Sequence, residues 1–429
     1  MSYIVNQNEN INEKYYYFKH ISGLDVYVIP KNLGTYYALF GTKYGSIDRT
    51  FKREGDADYI TVPDGIAHFL EHKLFENEDG VDTFARYAEY GASANAYTSS
   101  DKTAYLFSCT QNFEKSLEIL LDFVSHPYFT SQTVEKEQGI IAQEIRMYED
   151  NPAWRVYFNL LRALYNKHTV RIDTAGTVDS IREITPEILY DCYNTFYNPG
   201  NMILCVSGNV APETVEKICD KVLKPAKPVA ISRRYEDEAP EICEKIKTEK
   251  LEVAFPLFSI GIKDNDVPCE GEALMKKQAE HEIIMEKLFS KSGDFYNRLY
   301  EEGLINRKFS AGYERGISFA FSDVSGESRD PEKLLCELEN ELARYAADFD
   351  TLFSDEDFDI IKRVVYSKNV QDWGSTEEIA NTFMDFKFMG ADMLRYPDVI
   401  ASITKEDVKK RFLSTYKSEY CAMSVILPR

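Results

Sequence analysis

Two histidines, His68 and His72, flank a glutamate in the stretch Gly65-Ile66-Ala67-His68-Phe69-Leu70-Glu71-His72-Lys73-Leu74-Phe75. On a helix, residues four apart share one face, so both imidazoles can reach a single point. Glu71 lies about 60° around the helix from His68, on the same side. The rest of the segment is largely apolar, which predicts a buried helix. Two imidazoles and a carboxylate inside such a helix need a compensating partner, and a divalent cation supplies one. Two histidines and a carboxylate, with water in the open position, form a known ligand set for catalytic zinc. The order His-x-x-Glu-His is itself a catalytic signature, the inverzincin pattern.

The third ligand must come from another element. The stretch from Glu135 to Glu144 reads as helix, and Glu137 and Glu144, seven residues apart, share a face of it. Glu144 is the candidate third ligand. Glu137 is the candidate acceptor for the second ring nitrogen of a ligand histidine. Glu71 is then the candidate base: it takes a proton from metal-activated water and returns it to a leaving amine. The predicted reaction is hydrolysis of a peptide bond with one zinc per chain. The same donors also suit manganese, cobalt or iron. The other histidines, His20, His126, His168 and His281, stand in no such pattern and are expected to be structural or exposed.

The elements that carry these residues read as an α+β chain in two related halves. Strand-like runs at 24–30 and 36–41 open the first half. A Thr185-Pro186 helix start and the apolar strand 202–207 close it. The second half opens on the strand 257–262 and closes with Thr404, a helix and the strand 422–427. Lys73-Leu74-Phe75 recurs as Lys287-Leu288-Phe289, which sets His68, Glu71 and His72 against Glu282, Met285 and Glu286. The expectation is a duplication, each copy a mixed sheet packed by helices, whose second copy lacks the metal triad. The expected boundaries are 1–223 for the metal-binding domain, 224–250 for an exposed linker, and 251–429 for the related domain. Asp64 is the expected cap of the metal-binding helix.

Composition narrows the function classes. A chain of 429 residues with 44% hydrophobic residues can bury substantial cores. The net charge of −21 disfavours nucleic acid as a partner. It attracts basic peptides and also serves solubility. No apolar run is long enough to predict a membrane span. The polar start and the eight cysteines without a Cys-x-x-Cys pair predict a cytoplasmic protein with reduced thiols.

Three stretches together resemble the pitrilysin or insulinase-type metallopeptidases, the family that includes the mitochondrial processing peptidase. They are Gly65 to Phe75, then Gly91-Ala92-Ser93-Ala94-Asn95-Ala96-Tyr97-Thr98-Ser99 followed by Thr103 and Tyr105, and Glu137 to Glu144. The resemblance covers essentially the whole chain and is nearest to short bacterial members that carry half a clamshell per chain. It implies that His68, His72 and Glu144 hold zinc, that Glu71 is the base, and that Glu137 supports the ligands. It further implies that Asn95, Ala96 and Tyr97 lie on an edge strand that binds substrate by strand addition. A clamshell implies a second subunit, making a homodimer or a heterodimer. Family members carry an Arg and a Tyr, seven residues apart, in the half facing the zinc. Here Arg298 is retained, but the Tyr position holds Ile305 or Asn306. That departure implies a related, zinc-less partner carrying the Arg/Tyr pair, unless Tyr300 or Tyr313 substitutes. A non-catalytic structural or peptide-binding subunit of the same fold is the competing expectation, since some relatives have lost activity.

Overall fold

The computed structural model describes residues 3–429. The chain forms two compact units. One comprises Met1–Ile145, Asp173–Tyr235 and Val370–Arg395, the other Arg146–Ile172, Glu236–Asn369 and Tyr396–Arg429.

The first unit holds β1 (Ile4–Asn8), β2 (Glu13–Lys19), β3 (Asp25–Pro30), β4 (Tyr36–Thr42), β5 (Thr50–Arg53), β6 (Ile60–Thr61), β7 (Ser93–Thr98), β8 (Thr103–Cys109), β9 (Met202–Gly208) and β10 (Ile231–Arg234). Seven strands make the main sheet in the order β1-β2-β3-β9-β4-β8-β7, and β10-β5-β6 form a small second sheet. The strand β9 reads Met-Ile-Leu-Cys-Val-Ser-Gly and is buried at every position. That unbroken run suits a central strand covered on both faces. It pairs parallel with β3 and antiparallel with β4.

The second unit holds β11 (Ile246–Leu251), β12 (Leu257–Lys263), β13 (Ser310–Arg315), β14 (Ala320–Glu327) and β15 (Cys421–Pro428), in the sheet order β11-β15-β12-β14-β13. This order repeats β3-β9-β4-β8-β7 strand for strand. The sole parallel pair also recurs, β11 with β15 as β3 with β9. The duplication expected from the sequence is therefore present as a repeated topology.

The compact units cut across the contiguous boundaries 1–223 and 251–429, because the two copies exchange a helix. Helix Thr376–Phe388, late in the second copy, packs on β4 and β9 of the first sheet. Helix Pro152–Leu164, from the first copy, packs on β12 and β15 of the second. A glycine at matching places in the two sheets admits each helix. A Cβ on Gly41 would lie 2.4 Å from Met384 Sδ, and one on Gly261 would lie 2.7 Å from Leu164 Cδ1. The segment 224–250 also differs from an open connection. Its first part forms β10, antiparallel to β5, and its last part forms β11, parallel to β15.

All eight cysteines are free. Among the described residues no helix is long and apolar enough to cross a membrane.

Candidate metal centre

The helix Ile66–Lys73 is short, and its start is fixed by backbone rather than by a side chain. Gly65 takes the cap position with φ of +87° and no side-chain cap. A Cβ there would meet the Ala175 carbonyl oxygen at 2.3 Å, and one on Gly176 would meet the Asp64 carbonyl at 2.5 Å. Two glycines thus let two chain segments cross in contact. Asp64 does not cap the helix: its carboxylate pairs with Arg49 at 2.6 Å. Ile66, Ala67, Phe69 and Leu70 are buried in the core of the unit, which turns His68 and His72 to the remaining side.

Helix Ser131–Glu149 brings the two glutamates to that side. Val134, Glu137, Ile141 and Ile145 form its buried face, and Glu144 stands at its margin. Glu144 Oε1 lies 3.6 Å from His68 Nε2, and Glu144 Oε2 lies 3.5 Å from His72 Nε2. One ligand atom from each of His68, His72 and Glu144 falls within 4.8 Å of the others. Among the described residues no other group of three or more His, Cys, Asp or Glu side chains is close enough to hold a metal ion.

These residues fit a divalent cation. The contacts between them are longer than good hydrogen bonds, so they converge without satisfying one another. The His68 Nδ1 is buried without a hydrogen-bond partner. His72 Nδ1 lies 3.0 Å from Glu137 Oε1. Because a carboxylate accepts, the ring donates there, and Nε2 keeps its lone pair facing Glu144.

Without a cation the charges conflict. Burial, followed by the neighbouring His72, pushes His68 down to about 3. Burial also pulls His72 down. The hydrogen bond to Glu137 and the charges of Glu71 and Glu144 outweigh it, and His72 ends above the ordinary histidine value. Burial raises Glu71, opposed by a hydrogen bond from Thr98 and by the charge of His72. Three carboxylates crowd two imidazoles here, and a divalent cation would offset their repulsion.

The strand bearing Asn95, Ala96 and Tyr97 is β7, which ends the seven-stranded sheet. Ala94 and Ala96 pack against the core. The Tyr97 hydroxyl donates to Asn381 Oδ1 at 3.0 Å, so its ring braces the strand against the exchanged helix. Thr98 Oγ1 donates to Glu71 Oε2 at 2.6 Å. The sequence pattern included Thr98 but gave it no role, since nothing in spacing says which carboxylate a strand hydroxyl meets. No sequence motif marks Tyr197. Its phenol meets that of Tyr105 at 2.9 Å in the buried layer beside the helix.

Arg298 belongs to the other unit, on helix Asp294–Glu301. Its Nη1 lies 2.7 Å from Glu337 and 3.7 Å from Glu302. Ile305 is buried, and Asn306 donates to Glu327, so neither offers a hydroxyl. Tyr313 donates to Asp264 at 2.8 Å and stacks on His281, while Tyr300 is exposed. At the matching positions of the second copy no histidine stands, and the two carboxylates are engaged: Glu282 accepts from Gln278, and Glu286 pairs with Lys368. Of the remaining histidines, His20, His168 and His281 are buried in hydrogen-bonded positions, and His126 is exposed.

Fold and donors together define the class: a duplicated α+β chain whose first unit presents a single set of donors able to hold a metal ion. The family described as Insulinase (Peptidase family M16) matches residues 61–178, and the Peptidase M16 inactive domain matches residues 183–365. The chain is 40% identical over 427 residues to an uncharacterized zinc protease of Bacillus subtilis, YmfH, with 98% of each chain covered. An M16-like peptidase from Alicyclobacillus acidocaldarius superposes with a TM-score of 0.92 at 34% identity, covering 100% of this chain and 99% of that one. A stretch of 162 residues is 30% identical to mitochondrial-processing peptidase subunit beta of Caenorhabditis elegans, covering 37% of this chain and 35% of that one. The chain belongs to the M16, or insulinase, family of peptidases.

Proposed function

We propose that this protein is a zinc endopeptidase that cleaves peptides or unfolded segments. The observation that carries the reading is the convergence of His68, His72 and Glu144 on one point, with Glu71 held beside them. Zinc bound there supplies a Lewis acid that activates water and polarises the scissile carbonyl. The chain's own residues do the rest. Glu137 holds the His72 ring in the tautomer that leaves Nε2 unprotonated. The free side of β7 takes the substrate as an added strand through main-chain hydrogen bonds, Asn95, Ala96 and Tyr97 lying along it. Glu71 accepts the proton of the attacking water and delivers it to the departing amine nitrogen, so the amine leaves neutral.

The active form pairs this chain with a related, zinc-less subunit. Support comes from the state of the second copy. Arg298 is engaged by acids, Ile305 and Asn306 lack a hydroxyl, and the Tyr313 phenol is committed to Asp264. A relative 30% identical over 162 residues is, by its description, one subunit of a peptidase. An internally quenched peptide incubated with the protein alone, and with a co-purified zinc-less relative carrying the Arg/Tyr pair, tests this. The mixture is expected to hydrolyse at least about 100-fold faster, the scale for adding a transition-state donor. Equal rates would refute the need for a partner and favour Tyr300 as the substitute.

A further inference from the structure

Given the peptidase reading, we propose that Thr98 is a positioning residue that couples the substrate edge of β7 to the base. Its Oγ1 donates to Glu71 Oε2 at 2.6 Å. Thr98 pairs with Thr103 in the β7–β8 register, and the two hydroxyl oxygens are 3.3 Å apart. The Thr103 hydroxyl donates to the Tyr44 carbonyl at 2.9 Å. With that proton committed, the Thr98 proton is the one left to serve Glu71. Thr103 is fully buried and backs Thr98 from behind.

The turn that follows is pinned. Ser46 N–H donates to the Ser99 carbonyl and Ile47 N–H to the Ser100 carbonyl, each at 3.0 Å, while Ser99 N–H reaches Lys102 O at 2.8 Å. Because Ser99 and Lys102 are hydrogen-bonded across the turn, the antiparallel alternation points the N–H and C=O groups of Thr98, Ala96 and Ala94 away from β8. The Ala96 N–H accordingly finds Asn95 Oδ1 at 2.9 Å. Thr98 therefore has its backbone on the side where an added strand would pair and its side chain on Glu71. Substrate pairing at that backbone bears on the residue that sets the plane of the base. Holding Oε2 leaves Oε1 as the oxygen for proton transfer.

Thr98→Val keeps the β-branched shape and removes the donor, while Thr98→Ser keeps the donor. The valine variant is expected to lower kcat about 10- to 100-fold, the factor for losing a hydrogen bond to a charged group. KM should stay within about a factor of two, with zinc content unchanged. The serine variant should recover most of the rate. In the metal-free protein, the Tm shifts of Thr98→Val and Glu71→Ala should be non-additive, because each removes the same bond. Additive Tm shifts, or a valine variant as fast as the serine one, would overturn the proposal. If the wild type cleaves no peptide even with a zinc-less relative carrying the Arg/Tyr pair present, the peptidase reading falls, and the Tm cycle alone still decides whether Thr98 holds Glu71.

Discussion

Replacing Glu71 by Gln is expected to abolish hydrolysis while leaving zinc and peptide in place. The substitution is nearly isosteric. The amide oxygen can still accept from Thr98, and neither the ligand imidazoles nor Glu144 is touched. What is lost is the capacity to take a proton. General acid–base assistance contributes roughly 10²- to 10⁴-fold, and Glu71 serves both transfers, so kcat should fall by at least about 10³-fold. Steady-state kinetics on an internally quenched peptide, with metal analysis of the same samples, reads both quantities. Cleavage at the wild-type rate would remove Glu71 from the mechanism. Loss of zinc together with activity would show that Glu71 helps to hold the ion.

Glu144→Ala is expected to act on the other side of that division. One carboxylate spans both imidazoles, with Oε1 facing His68 and Oε2 facing His72. Its removal leaves two neutral nitrogens and no anionic ligand for a doubly charged ion. Losing a group that merely supports a ligand costs about 10- to 100-fold in metal affinity, so losing a ligand should cost at least about 100-fold. Competition against a chromogenic chelator measures it directly. Thermal unfolding gives a second reading. Zinc that binds only the folded state raises Tm with its concentration, and the variant should need far more zinc for the same rise. Unchanged affinity would mean that the ion, if bound, is held elsewhere.

Much of this protein was legible in its sequence because the informative patterns are local. The unbroken apolar run at 202–207 became a central strand, and the seven-residue spacing of Glu137 and Glu144 became one helix face. The recurrence of landmarks foretold the duplication, which the structure shows as a repeated sheet order. What stayed hidden depends on partners distant in sequence. The glycines Gly41 and Gly261 carry meaning only beside Met384 and Leu164, so the exchange of helices could not be read from either copy alone. The segment 224–250 looked like a linker because its strands pair at sheet margins, where polar and charged residues are tolerated. Asp64 had the composition of a cap, but the positive φ of Gly65 turns the chain first and Arg49 claims the carboxylate. Thr98 acquires a role only once helix, hairpin and turn are assembled around it.

Hydrolysis by the proposed mechanism requires one zinc per chain, held by His68, His72 and Glu144. The most direct test is to titrate zinc into the metal-free protein, with a zinc-less relative carrying the Arg/Tyr pair present, while following cleavage of a quenched peptide. Activity should rise from baseline and break at one zinc per copy of this chain, and His68→Ala should abolish the rise. Full activity before zinc is added, or the same break in the His68 variant, would contradict zinc-dependent hydrolysis at this site.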